Sequence, residues 1–513
     1  MFDNIYPISY LISLGALTFW FYFHEDELKS NLLRKLFYVG FLLFGVSLLL
    51  CEGEWNYKFL MFGREMLIMV VVPVFLSFFR KNKIAFIALL FATVGGLDHF
   101  YFDALKTTYP QAQTVNSEVK VDEQGELLIE ILEGHFINEI QSLLDKYGLK
   151  ATPAFSPEDK NATDLDDYYL VDVPTAQERN LSAIKEVLQK NGIIEWVEMN
   201  EQYELSPIES EPQKILPEIN KKYGLNDPDL ENLWGFEKMN VSDLYDVLKN
   251  VSPKKQALIA ILDTGVDADH EDLKGNFSSI QVKYDNDPNG HGTHCAGISA
   301  AVSNNNKGIA SFSQNNDFVR VTSVKVLMGG GSGTQKMIID GILEAADAGA
   351  DVLSLSLGGL SNDSRQRAYK KAVEYANKKG AIVLAAAGNS KQNAKNFTPA
   401  NTPGIICVAA VDNLNNRAFF SNFVQDVEMG IAAPGVNIYS TWPGSEYQSL
   451  SGTSMATPYV AGLIGLMKSI QPDIKTKEVY RILNKTGLQT NDGDETGRLI
   501  QPGAAIQELL KNQ

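Results

Sequence analysis

The sequence predicts a large C-terminal α/β region on a doubly wound, mostly parallel sheet, preceded by a small ferredoxin-like α+β domain and by four transmembrane helices. Three observations carry this reading. From about residue 257 onward, short apolar runs alternate with amphipathic helical patterns, as βα units do. Between residues 117 and 205 strands and helices alternate in a shorter, strand-rich order, that of a split βαβ fold. The first hundred residues are dominated by apolar stretches near the roughly 20 residues that cross a bilayer.

Those stretches are residues 5–23, 36–51, 66–79 and 84–102, the third containing Pro73. A cleaved signal peptide does not fit the first, since no basic residue precedes it and three more follow. Lys29, Arg34 and Lys35 in the first loop and Arg80, Lys81 and Lys83 in the third put the odd loops in the cytoplasm. The expectation is a multi-pass protein of the cell membrane, with the lipid bilayer as partner. Both its N-terminus and everything after Phe102 would lie on the outer, periplasmic or extracellular, side. Asp98 and His99 read as interfacial groups at the end of the fourth segment.

The remainder is polar and acidic. With 45 basic and 62 acidic residues in 513, the formal charge is −17, which argues against nucleic acid as a partner. The length suits three or four domains. The divisions expected are a transmembrane region at 1–103, a linker with Pro110 at 104–116, the small domain at 117–205, a Pro- and Glu-rich linker at 206–222 and the large region at 223–513.

In the small domain the pattern gives strands at 126–132, 168–173 and 193–198 and helices at 137–147 and 176–189. In the large region it gives strands at 258–262, 319–327, 352–357, 381–386 and 405–411, with helices such as 335–348 and 365–379 between them. A further helical pattern begins in Gly452-Thr453-Ser454-Met455-Ala456-Thr457-Pro458 and runs to about Lys468. Ser454 therefore stands at the positive end of a helix, where a serine most simply caps.

Two other stretches supply what an unactivated hydroxyl needs to become a nucleophile. The apolar run 258–262 ends in Asp263-Thr264-Gly265, and His291 lies between glycines in Asn289-Gly290-His291-Gly292-Thr293-His294-Cys295-Ala296-Gly297. The chain order is acid, imidazole, hydroxyl. Ser454 would attack a carbonyl, His291 would take and return the proton, and Asp263 would orient the imidazole.

On these motifs residues 223–513 resemble the subtilase family of serine peptidases, with a subtilisin-like fold. The resemblance implies that Asn389, in Ala385-Ala386-Ala387-Gly388-Asn389, donates its amide to the oxyanion. It also implies that Gly331, Ser332 and Gly333, with Ser356, Leu357 and Gly358, hold an extended protein or peptide substrate by main-chain hydrogen bonds. Residues 354–358 and 385–388, including Ala387 and Gly388, would wall a pocket for an apolar or aromatic residue before the scissile bond. Asp272 and the Asn304-Asn305-Asn306 loop match positions that bind structural calcium in many relatives, although Lys307 falls inside the loop. The position of the small domain makes it resemble the family's inhibitory propeptide, an intramolecular partner of the zymogen, with maturation by self-cleavage between about 205 and 226.

Other readings are weaker. An aspartic peptidase needs a second Asp-Thr-Gly or Asp-Ser-Gly, which the chain lacks. His291 and His294 do not have the spacing of a His-Glu-x-x-His zinc site. Three cysteines, Cys51, Cys295 and Cys407, give no disulfide framework, and Cys295 reads as a small buried filler rather than a redox sensor. From another class, a non-enzymatic membrane receptor on a peptidase scaffold would carry the same motifs.

Overall fold

The N-terminal unit, Met1–Glu118, holds helices α1 (Phe2–Tyr22), α2 (Glu27–Leu50), α3 (Trp55–Ser77) and α4 (Lys83–Gly96). These come from a computed structural model that describes residues 2–50, 55–96, 121–122, 125–205, 207–210, 222–361 and 367–511. Tyr10 and Leu14 of α1 pack with Phe44 of α2 and Met69 of α3 in a small apolar core.

The described parts of the four apolar segments are mostly helical, yet among the described residues no helix is long and apolar enough to cross a membrane. The four transmembrane helices expected from the sequence are thus not found among the described residues. The physical reasons lie in the elements themselves. In α2 the first half carries Glu27, Lys29, Arg34 and Lys35, and α3 buries Glu65 and contains Pro73. Inside α1, Ser13 and Thr18 are buried and donate to the carbonyls of Ser9 and Leu14 one turn earlier. Cys51, Asp98, His99 and the linker at 104–116 lie outside the described residues.

The second unit, Val119–Gln513, opens with the small domain: β1 (Leu127–Ile131), α5 (Gln141–Tyr147), β2 (Lys150–Pro153), β3 (Tyr168–Asp172), α6 (Leu181–Gln189) and β4 (Ile194–Met199). The sheet order β2-β3-β1-β4, all antiparallel, with two βαβ halves is the ferredoxin-like arrangement the pattern predicts. Both helices are entered through a 3-10 turn, at Ile137–Ile140 and Thr175–Asn180. Strand β2 escaped sequence reading because its four residues are largely exposed at the sheet edge and end in Pro153. The chain continues as β5 (Gln202–Glu204) and β6 (Ile208–Glu209). Part of the expected linker at 206–222 is therefore a strand; Ser206 and residues 211–221 lie outside the described residues.

The large region carries β7 (Ala257–Asp263), α7 (His291–Ala300), β8 (Val319–Lys325), β9 (Ser332–Thr334), α8 (Gln335–Asp347), β10 (Val352–Leu355), β11 (Gly359–Leu360), α9 (Arg367–Lys379), β12 (Ile382–Ala386), β13 (Phe397–Thr398), β14 (Ile406–Val411), β15 (Gly430–Pro434), β16 (Ile438–Trp442), β17 (Glu446–Ser451) and α10 (Thr453–Ile470). Six strands form one parallel sheet in the order β15-β14-β12-β10-β7-β8. All five expected strands are in it. The sixth, β15, is a short run of small residues ending in proline and carries no alternation. From β7 the chain steps to β8 on one side and then to β10 on the other, so the order reverses at β7. The crevice beyond its carboxyl end is where such sheets bind ligands.

Each face of the sheet is covered. On one, α10 is buried along all 18 residues beside α7, which fits a helix apolar all round. On the other, α8 and α9 pack against the sheet and receive Leu128, Tyr168 and Tyr203 of the small domain. The docking is capped by acids. Glu198, wholly buried, accepts the N–H groups of Arg367 and Ala368 in the first turn of α9, the Gln335 amide and the Trp196 indole. The Arg367 guanidinium lies 5.3 Å from the Trp196 ring centre. Asn200 accepts the Lys336 N–H of α8, and Glu130 pairs with Lys371. Burial pushes the Glu198 carboxyl up to about 7 against these donors.

Removing the Glu198 carboxylate leaves buried donors on both domains unpaired. Glu198→Ala is expected to cost about 2 kcal/mol and to lower the unfolding temperature of the chain by several degrees. Scanning calorimetry checks it, and an unchanged melting profile would remove this acid from the docking account.

Candidate active site

Strand β7 delivers Asp263 to the crevice with its carboxylate fully buried. Thr264 N–H donates to Asp263 Oδ1 at 2.8 Å, fixing the carboxylate plane. His291 opens α7, and its Nδ1 lies 2.8 and 2.9 Å from Oδ1 and Oδ2 of Asp263. This close approach depends on Gly292, where a Cβ would run into the carbonyl of Gly265. Burial alone would lower the pKa of the His291 imidazole; the charge and hydrogen bond of Asp263, joined by Asp287, outweigh it and leave the pKa raised.

The other ring nitrogen, Nε2, is buried without a hydrogen-bond partner among the described residues. Ser454 is the second residue of α10, and its hydroxyl donates to the Ser356 carbonyl at 3.0 Å. Ser356 in turn donates its own hydroxyl to Ser454 O at 2.8 Å. Cys295 ties the serine to the other two residues, with Sγ 3.5 Å from Ser454 O and within 4.8 Å of the Asp263 and His291 ligand atoms. Burial pushes its thiol well above the ordinary range, which removes the thiolate needed for metal binding or redox work.

Asn389 follows β12. Thr453 fixes it, giving both N–H and hydroxyl to Asn389 Oδ1 at 2.9 Å and so directing the amide nitrogen toward Gly452, beside Ser454. Thr453 also accepts the Gly388 N–H at 3.1 Å. A threonine just before the serine was the one sequence signal for this clamp, and it went unread. His294, on α7, donates to or accepts nothing at the site; its Nε2 meets the carbonyls of Ile438 and Gln448, and burial drops its pKa to about 3.

The expected substrate edge at residues 331–333 is occupied by the chain's own β5. Tyr203 pairs with Gly333 and Glu204 with Ser332, and Leu205 N–H donates to Gly331 O at 2.9 Å. Tyr203 packs on Gly359, next to Gly358, whose φ of +148° and closeness to Thr398 O exclude a side chain. Downstream, β6 pairs with β17, Ile208 opposite Ser451 and Glu209 opposite Leu450. Leu357 is buried in the core on the α8 and α9 face. Ala387 is buried with its N–H given to Val408 O and its carbonyl taken by Asn422.

Asp272 and Asn304 are close but not partners through their side chains. Asn304 gives its backbone N–H to Asp227, and it is the Asn305 amide that meets Asp272 at 2.7 Å. Asp227, unnoticed in the sequence, is buried like Asp272; burial raises both carboxyls, Asp272 to about 7, and Asp227 adds repulsion. Lys307 is turned away to Glu271. Two buried acids and an amide, brought together from three segments of the chain, are an oxygen-rich set that suits a hard divalent cation.

A model described as the subtilase family matches residues 254–500. Over 253 residues the chain is 45% identical to thermitase of Thermoactinomyces vulgaris, covering 48% of this chain and 86% of that protein. Subtilisin DY of Bacillus licheniformis is 41% identical over 256 residues, 48% of this chain and 90% of its own length. A thermophilic serine proteinase of Bacillus sp. (strain AK1) is 34% identical over 397 residues, 75% of this chain and 89% of its own.

Proposed function

Because the chain belongs to the subtilase family of serine endopeptidases, we propose that Asp263, His291 and Ser454 form its proton-transfer line and Asn389 its oxyanion donor. The observation that carries this is the buried pairing of His291 Nδ1 with both Asp263 oxygens, which leaves Nε2 buried and without a partner among the described residues. With Nδ1–H held by the carboxylate, Nε2 is the basic atom. The role requires the Ser454 hydroxyl to leave the Ser356 carbonyl for Nε2, and such contacts tighten when substrate binds. Nε2 takes the hydroxyl proton as Ser454 Oγ attacks the peptide carbonyl, then returns it to the leaving amine. The charge that develops on the carbonyl oxygen meets the Asn389 amide and the Ser454 N–H in the first turn of α10.

The small domain acts as an inhibitory propeptide in this reading. Its tail pairs with β9 on one side of the nucleophile and with β17 on the other, which keeps a substrate strand out. The relative from Bacillus sp. (strain AK1) supports it, since 75% of the chain is more than residues 223–513 contain. Self-cleavage between about 205 and 226 would free the cleft. The small residues around 354–358 and 385–388 favour an apolar or aromatic residue before the scissile bond.

Calcium is the cation proposed for the loop, held by Asp227, Asp272 and Asn305. It would offset the repulsion between the two buried carboxylates and stiffen the loop.

Three outcomes test this. A fluorophosphonate probe should label the wild-type chain and not Ser454→Ala, and a new N-terminus between residues 205 and 226 should appear only in the former; labelling that survives the substitution sinks the reading. Asn389→Ala should lower kcat about 10² to 10³-fold with little change in KM, measured on a peptide substrate. A calcium chelator should lower the unfolding temperature of the wild-type chain but not that of Asp272→Asn.

A further inference from the structure

Asp287 lies four residues before His291, is 6% exposed, and belongs to none of the roles above. Five donors converge on its carboxylate. Oδ1 accepts Thr264 Oγ1 at 2.8 Å, Gly290 N–H at 2.9 Å and Asn289 N–H at 3.0 Å, while Oδ2 accepts both N–H and hydroxyl of Thr293 at 2.8 Å. Thr264 is bonded in two further directions. Its N–H holds Asp263 Oδ1 at 2.8 Å, and its Oγ1 accepts the Gly292 N–H at 3.1 Å.

The donors come from both sides of the catalytic pair. Thr264 belongs to the end of the acid's strand, and residues 289, 290 and 293 bracket the imidazole on α7. We propose that Asp287 is a positioning residue for the hydrolysis reaction, a carboxylate hinge-pin that fastens the Asp263 strand end to the His291 helix so that the imidazole is held square to Ser454. This rests on the roles assigned under the proposed function. A plain helix cap would bond the first-turn N–H groups alone. Here the same carboxylate also takes the hydroxyl of Thr264, the residue that orients Asp263, and that second attachment is what a cap does not need.

The charge has a consequence of its own. The charged and titratable groups facing His291 are Asp263 from β7, Asp287 from the preceding loop, and His294 and Cys295 from α7 itself. Ser454 of α10 contributes no charge. Asp287 is thus the second anion favouring the imidazolium, after Asp263. Removing it lowers the pKa of the imidazole, and since the base must be neutral to act, the acid limb of the rate profile moves to lower pH.

The experiment compares Asp287→Asn, Thr264→Val and Thr264→Ser in the full chain, with active sites counted by fluorophosphonate labelling and rates expressed per labelled site. Asp287→Asn is expected to lower kcat about tenfold with KM within twofold, and to move the acid limb of kcat/KM down by about half a pH unit. Thr264→Val should lower kcat similarly with the acid limb in place, and Thr264→Ser should recover most of that loss. Should Asp287→Asn fail to fold, the Thr264 pair decides alone. The proposal is overturned if the folded variants keep wild-type kcat per labelled site, or if Thr264→Ser is as slow as Thr264→Val. A wild-type chain that takes no label at Ser454 refutes the peptidase reading instead.

Discussion

A negative charge sunk at the carboxyl end of a central parallel strand is the constraint from which the rest of this structure follows. Asp263 has no exposed surface, and a bare carboxylate there would cost several kcal/mol. It is tolerable because an imidazole is pressed against it at 2.8 Å and a backbone N–H holds its plane. To bring the imidazole that close, α7 must abut the strand end without a side chain between, hence Gly292. For the charge to be useful, the hydroxyl must arrive from a third element, which α10 provides by running through the middle of one face of the sheet, buried along its length.

Much of this was written plainly in the chain. The strands that carry Asp263 and lead to Ser356 and Asn389 are continuous apolar runs, because a parallel strand covered on both faces has no polar side to show. The candidate site residues follow them in turns marked by glycine. What stayed hidden were the residues whose work is done through backbone groups of distant loops. Asp227 and Asp287 look like ordinary loop acids until folding gathers N–H donors around them. Asn304 and Asn305 are indistinguishable in a run of asparagines; the left-handed backbone at Asn304, φ +61°, decides which amide turns inward. In the N-terminal unit, counting apolar residues overstated the helices. It did not weigh the serine, threonine and glutamate side chains that α1 and α3 turn inside.

The small domain shows how one chain can satisfy two demands with one surface. The edge at β9 exposes unpaired N–H and C=O groups, and any extended strand can claim them. The chain's own residues 202–205 do so first, with Tyr203 seated where Gly359 leaves room. Because β6 continues the pairing on β17, the tail is gripped at both ends of the crevice. The remaining attachment joins Leu128, Tyr168 and Tyr203, packed in the core beside α8 and α9, to Glu198 over the first turn of α9 and Asn200 over that of α8.

That attachment also furnishes an optical handle. The indole of Trp196 sits between the Glu198 carboxylate and the Arg367 guanidinium, so its surroundings belong half to one domain and half to the other. Separation of the two would take away the Arg367 guanidinium and admit solvent, altering the colour and yield of its emission. Any parting of the small domain from the large region is thereby coupled to an intrinsic fluorophore, visible in real time without a dye.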